Sequence, residues 1–260
     1  MTLEGGTAGR STALRSGSRS DYLTGPQIPG DYQHRALHHG PAVQRFWHRN
    51  KLAALRRLLP LATADTVLEV GCGSGNLTFQ AGESARLAIG LDASAQAVRF
   101  CDSTAGGTRC AFAVSAGASI PLADDSVDAA ILVEVIEHLW EPARVLAELR
   151  RVLRPDGRLL VTTPNYAFPS LWPLLEWVTD RSGLAAAMAG EQHVQRLDPV
   201  SLSRLLSENG LEPERVGSLY RWSPFVALLD ERAADAMALR EIESGGLSGA
   251  LAFAVARPVD

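Results

Sequence analysis

Cysteine is scarce in this chain: Cys72, Cys101 and Cys110 are the whole complement, and no two stand in C-x-x-C spacing. An odd number without paired spacing argues against a disulfide framework and against a thiolate zinc cluster. Long apolar runs are missing too. Nothing approaches the roughly 18 uninterrupted apolar residues of a membrane span. The first residues have no apolar core of a secretory signal, so a cytoplasmic protein is expected. Basic residues are not in excess: the net charge is −4, which argues against a nucleic-acid surface. There is no internal repeat. What remains is a chain of 260 residues, 46% hydrophobic, long enough for one large domain with or without a cap.

The first twenty residues, "MTLEGGTAGRSTALRSGSRS", are rich in Gly, Ser, Thr and Arg and have little to bury. They read as a solvated tail over 1–30. A helical cap follows over 31–64. From Pro41 onward, Val43, Trp47, Ala54 and Leu58 share one helix face, and Arg45, His48, Arg49, Arg56 and Arg57 the other. Over 65–260 short apolar strands alternate with helices: "TVLEV", "RLAIGLD", "RCAFAV", "VDAAILVEV" and "GRLLVTTP" as strands, with "EPARVLAELRRVL" as the clearest amphipathic helix. That alternation indicates a parallel sheet covered on both faces. Two later strands, "LEPERVGSLY" and "GALAFAVAR", suit an antiparallel edge, with a helix near 225–243 between them. Residues 165–192 break the rhythm; Trp172, Leu174, Leu175 and Trp177 make them a candidate lid.

The segment "VLEVGCGSGNLT" carries the most chemistry. Gly71, Gly73 and Gly75 fall at a strand-to-helix turn, where missing side chains let the backbone approach a ligand. The spacing is G-x-G-x-G; Asn76 stands where a dinucleotide fingerprint wants its third glycine, and no Gly-Lys-Ser/Thr of a P-loop is present. Glu69 just ahead of the glycines would repel a pyrophosphate, whereas a cofactor with a cationic amino-acid end would be welcome. Asp92 ends the second strand and can accept both hydroxyls of a ribose; as a helix N-cap it would need no ligand.

"VLEVGCGSG", "GLDAS", "IPLADDSVDAAILVEVIEHL" and "AELRRVLRPDGRLLVTTPN" occur in order over about residues 65–165. In that series the chain resembles class I S-adenosylmethionine-dependent methyltransferases. The resemblance implies a Rossmann-like, doubly wound, mostly parallel seven-stranded α/β sheet with an antiparallel C-terminal edge and helices on both faces. It implies S-adenosyl-L-methionine as cofactor, with Glu69, Gly71, Gly73 and Gly75 around the methionine part and Asp92 on the ribose. Gly117 and Ala118 would lie beside the adenine, and Glu134 and Val135 near the sulfonium. Cys72 and Ala93 are counted with the same cofactor-binding set, Cys72 as a small packed side chain rather than a reactive thiol. One departure stands out: relatives carry an acid before the "LP" stretch to receive the adenine amino group. Here "VSAGASIPL" has none, leaving that role to backbone groups or to Ser115 and Ser119.

The string "VEVIEHL" admits three readings: a cofactor contact, an acid–base site or a metal clamp. It resembles strings in ubiquinone-biosynthesis O-methyltransferases and in small-RNA 2′-hydroxyl methyltransferases. By the second resemblance, Glu134, Glu137, His138 and the downstream His193 would hold a divalent metal. If the string starts a helix, Glu134, Glu137 and His138 would face one point. His138 and His193 are the candidate catalytic residues, since a histidine can take a hydroxyl proton near neutrality. An acidic chain without an RNA-binding module disfavours RNA. The expected acceptor is a small hydrophobic molecule, methylated on oxygen, in secondary metabolism. An NAD-dependent oxidoreductase and a methyltransferase-like subunit without catalysis remain as other readings.

Overall fold

The computed structural model describes residues 28–167, 170 and 193–259. The expected tail, up to residue 27, lies outside them, as do Trp172, Leu174, Leu175 and Trp177 of the expected lid.

Seven strands form one sheet: β1 (Thr66–Val70), β2 (Leu87–Asp92), β3 (Cys110–Val114), β4 (Val127–Val133), β5 (Leu153–Pro164), β6 (Leu211–Leu219) and β7 (Leu251–Pro258). Their order is β3-β2-β1-β4-β5-β7-β6. The first five run parallel, and β7 lies antiparallel to both β5 and β6. The expected sheet with its antiparallel edge is present. β1 is buried at every position, as expected for a strand with helices over both faces.

Helices α1 (Tyr32–His39), α2 (Ala42–Leu58), α3 (Asn76–Ser84), α4 (Ala95–Thr104), α5 (Pro142–Val152), α6 (Pro199–Glu208), α7 (Ser223–Val226) and α8 (Glu231–Ser244) complete the described elements. Proline at the start of α5 suits the first turn, where its missing N–H has no partner to lose. Val145, Leu146, Leu149 and Val152 then bury one stripe against the sheet. Each such side chain is worth roughly 1.5–3 kcal/mol on burial. Leu202 and Leu206 of α6 share this core, while Phe46, Leu55 and Leu58 of α2 join Ala234, Ala238 and Ile242 of α8 on the opposite face.

One detail adds to the sequence reading and two differ from it. The basic face of α2 is paired: Arg45 and Arg49 with Glu231, Arg49 also with Asp235, and Arg57 with Glu243, all on α8. Charge complementarity between two helices 180 residues apart has no periodic signature in either. The helix expected near 225–243 is two helices, α7 and α8, and Asp230 caps the second by accepting from Arg232 N and Ala233 N. Finally, "EVIEH" is not a full helix. Glu134 takes a left-handed φ of 54°, and only Ile136–His138 form a single 3₁₀ turn.

Candidate functional site

The site lies at the C-terminal ends of β1, β2 and β4. Strand order reverses between β1 and β4, and a doubly wound sheet opens a crevice for ligands at that point.

The glycine loop leaves β1 with Gly71 and Cys72 N–H groups both on the Leu91 carbonyl, at 2.7 and 3.0 Å. Gly71, Gly73 and Gly75 have φ of 76°, 51° and 77°, a region side chains resist. A Cβ on Gly71 would stand 2.3 Å from Val135 Cγ2, and one on Gly73 2.6 Å from Gln33 Oε1. The loop is therefore a backbone cradle between β4's exit and α1. Cys72 is buried within it, and a hydrogen bond to Cys101 together with burial raises its thiol pKa, so it stays packed and unreactive.

Two acids flank the cradle. Asp92 is not the N-cap of α4; Ser94 is, accepting from Ala97 N at 3.3 Å. Asp92 instead accepts from Gly73 N and Ser94 N, each at 2.8 Å, and burial raises its pKa against those two donors. Ala93 lies between these contacts. Glu69 is fully enclosed with Thr78 Oγ1 on its carboxylate, and burial pushes it up to about 8. Gly117, at φ 42°, and Ala118 form the turn after β3, whose last residue Val114 pairs with Asp92. In that turn Ser115 already spends its hydroxyl on the Ser119 carbonyl at 2.9 Å.

At the end of β4, the Glu134 N–H bonds the Thr162 carbonyl at 3.0 Å, and its side chain turns toward α2. Trp47 Nε1 donates to one carboxylate oxygen at 3.0 Å and Lys51 Nζ pairs with the other. Burial would raise the Glu134 pKa, but the Lys51 charge and these bonds hold it below the usual range. His48, read on the basic face of α2, lines the same pocket as Gln33, Lys51, Glu69 and Gly71. Burial, then the Lys51 charge, lowers its pKa to about 3, so the imidazole is neutral. Trp47 and Lys51, at i and i+4, share one helix face; that spacing was the readable signal for these missed residues.

Beyond Glu134, the chain brings Glu137, His138 and His193 together. One ligand atom from each lies within 4.8 Å of the others. The cause is backbone pairing: Val194 N and Gln195 N donate to the Glu137 carbonyl at 2.8 and 3.0 Å. Tyr166 Oη stands 2.8 Å from His193 Nδ1. The His138 and His193 rings are 5.0 Å apart, and Glu137 Oε1 is 4.0 Å from His138 Nε2. Glu137 is buried, its Oε2 has no hydrogen-bond partner among the described residues, and burial, then Glu134, holds its carboxyl well above the ordinary range. Glu134 does not join this group. Its left-handed backbone sends the side chain to Lys51, so the expected four-residue clamp is a three-residue cluster.

Residues 68–161 match a family described as a methyltransferase domain. A Mycobacterium tuberculosis protein described as a probable S-adenosylmethionine-dependent methyltransferase is 39% identical over 123 residues, 47% of this chain and 44% of that protein. A Mycolicibacterium smegmatis protein of the same description is 32% identical over 180 residues, 67% of this chain and 63% of that one. The chain thus spans less than two thirds of either relative. Its fold is similar to a chain of the complex between the Haloferax volcanii Trm112 methyltransferase activator and a methyltransferase. That match has a TM-score of 0.63 at 20% identity and covers 90% of this chain and 98% of that one.

Proposed function

Since this chain carries a class I S-adenosylmethionine-dependent methyltransferase domain, we propose that it transfers a methyl group to a hydroxyl oxygen of a small hydrophobic acceptor. The observation that carries the reading is the pairing of Glu69 and Asp92 on either side of three glycines held at positive φ. A side chain at Gly71 or Gly73 would fill the cradle, and the sequence has no Gly-Lys-Ser/Thr of a phosphate loop there. The acids suit an ammonium at one end and a ribose at the other. Gly117 and Ala118 take the adenine side, with Val135 against the loop.

When bound, the cofactor supplies an electrophilic methyl on a sulfonium. The chain's own work is to align the acceptor, exclude water and remove a proton. His138, one turn beyond Glu134, accepts the acceptor's hydroxyl proton, and His193 orients the oxygen beside it. Tyr166 holds the His193 ring in one orientation through Nδ1.

A second reading, favoured by their grouping, is that Glu137, His138 and His193 hold a divalent metal, His138 then being a ligand and not the base. One carboxylate and two imidazoles make a donor set that suits Mn²⁺, Fe²⁺, Co²⁺ or Zn²⁺ better than Mg²⁺, and Glu137 Oε2, without a hydrogen-bond partner among the described residues, is a buried acceptor that a cation would satisfy. A metal held there would stabilise the deprotonated acceptor oxygen.

The test is calorimetric titration with S-adenosylhomocysteine and with NADH, followed by turnover to S-adenosylhomocysteine with phenolic acceptors. Binding of NADH in preference, or cofactor binding without turnover on any hydroxyl acceptor, would refute the assignment.

A further inference from the structure

Of the 25 lysine and arginine residues in the chain, only Lys51 is a lysine. It does not behave as a surface cation. Its side chain is 12% exposed, reaches from α2 into the pocket lined by Glu69 and Gly71, and pairs there with Glu134. Elsewhere this sequence uses arginine for every ion pair described, including the Arg49 fork on Asp235. An arginine here would bring a planar fork into a space already walled by His48 and Gln33. A compact ammonium with three rotatable donors can hold two small acceptors at once.

We propose that Lys51 is the anchor for the α-carboxylate of the cofactor's amino-acid end. The inference rests on the cofactor reading above. The pocket has an acid, Glu69, on the β1 wall and a lone ammonium on the α2 wall. A zwitterionic amino-acid group matches that pair of groups, its ammonium drawing the proton off Glu69 and its carboxylate facing Lys51. Glu134 tolerates the exchange, because Trp47 Nε1 stays on its other oxygen when the Lys51 ammonium turns to the ligand. Neutral His48 adds no competing charge. The N-terminal cap is thereby part of the cofactor site, although the glycine loop and both acids come from the sheet.

Two ligands separate this role from a structural one: S-adenosylhomocysteine, and 5′-methylthioadenosine, which keeps the adenosine and sulfur and lacks the amino-acid end. The full chain is compared with Lys51→Met and with Lys51→Met/Glu134→Gln, the second leaving no unpaired buried acid. Affinity for S-adenosylhomocysteine should fall roughly 10- to 100-fold in both variants, as expected for a lost charge-assisted contact. Affinity for methylthioadenosine should stay at the wild-type level, which also reports a folded pocket. An unchanged ratio between the two ligands, in either variant, overturns the proposal. As a second readout, Lys51 is the chain's single ε-amine, so acylation by an N-hydroxysuccinimide ester of acetate can be followed by mass. S-adenosylhomocysteine should slow that acylation and methylthioadenosine should not; equal protection by both overturns the role. A wild-type chain that binds neither ligand would instead defeat the cofactor reading itself.

Discussion

The Gly73 N–H donates to Oδ2 of Asp92 at 2.8 Å, tying the middle of the glycine loop to the end of the neighbouring strand. One carboxylate thus shapes the cradle and leaves lone pairs for a ribose. Removing it should do double damage. Asp92→Ala is expected to weaken S-adenosylhomocysteine binding by about 100-fold, through lost charge-assisted bonds and a loosened loop. Gly73→Val should be at least as severe, since its branched side chain meets Gln33 and resists the positive φ. Near-native affinity in calorimetry for both would remove the cofactor assignment.

Glu69 makes binding sensitive to pH. Its pKa in the folded chain, about 8, lies above the ordinary 4.5, so the native state keeps a proton that the unfolded chain loses. Its contribution to stability is complete below the ordinary value and is lost as pH rises through about 8. A cofactor ammonium reverses the preference, because it favours the carboxylate. Binding of S-adenosylhomocysteine near neutrality should therefore release a proton, and affinity should rise as pH approaches 8. Calorimetry in buffers of different ionisation enthalpy counts that proton. Glu69→Gln should abolish the release; an unchanged count would show that Glu69 is not the group facing the ammonium.

The sheet, the glycine loop and the two flanking acids were legible because each is a local pattern. Strand periodicity, the run from Gly71 to Gly75 and a carboxylate at a strand end are all written within a few residues. The grouping of Glu137, His138 and His193 was legible only by resemblance, since it depends on Val194 and Gln195 pairing with the Glu137 carbonyl across more than fifty residues. Glu134 was misplaced within that group because nothing in "EVIEH" signals a left-handed φ at a non-glycine residue. Lys51 and His48 were missed for a related reason. A helix face can be read as polar, but whether it meets water or a pocket is decided by what packs against it.

His138 and His193 should separate chemistry from cofactor binding. Both lie beyond Glu134, away from the glycine loop. His138→Ala should lower kcat about 100-fold or more, the usual scale for a lost general base, with S-adenosylhomocysteine affinity unchanged. His138→Gln should do the same without opening a cavity. If binding and turnover fall together in both variants, His138 supports the fold and is not the base.

The metal makes the sharpest demand on the same residues. The Glu137–His138–His193 cluster has one ligand atom per residue within 4.8 Å, and Tyr166 bonds Nδ1 of His193. Co²⁺ added to the chelator-treated full chain should give visible d–d absorption at one equivalent. Glu137→Gln and His193→Ala should each abolish that spectrum. Tyr166→Phe should weaken affinity by about 10-fold or more, because a partner on the second ring nitrogen fixes the orientation of a ligating histidine. Glu134→Gln should leave the spectrum intact, since that carboxylate faces Trp47 and Lys51. This last variant separates a three-residue site from the four-residue clamp suggested by the sequence. If Co²⁺ gives no absorption, EDTA leaves turnover untouched and His193→Ala is harmless, the cluster holds no metal and His138 acts alone.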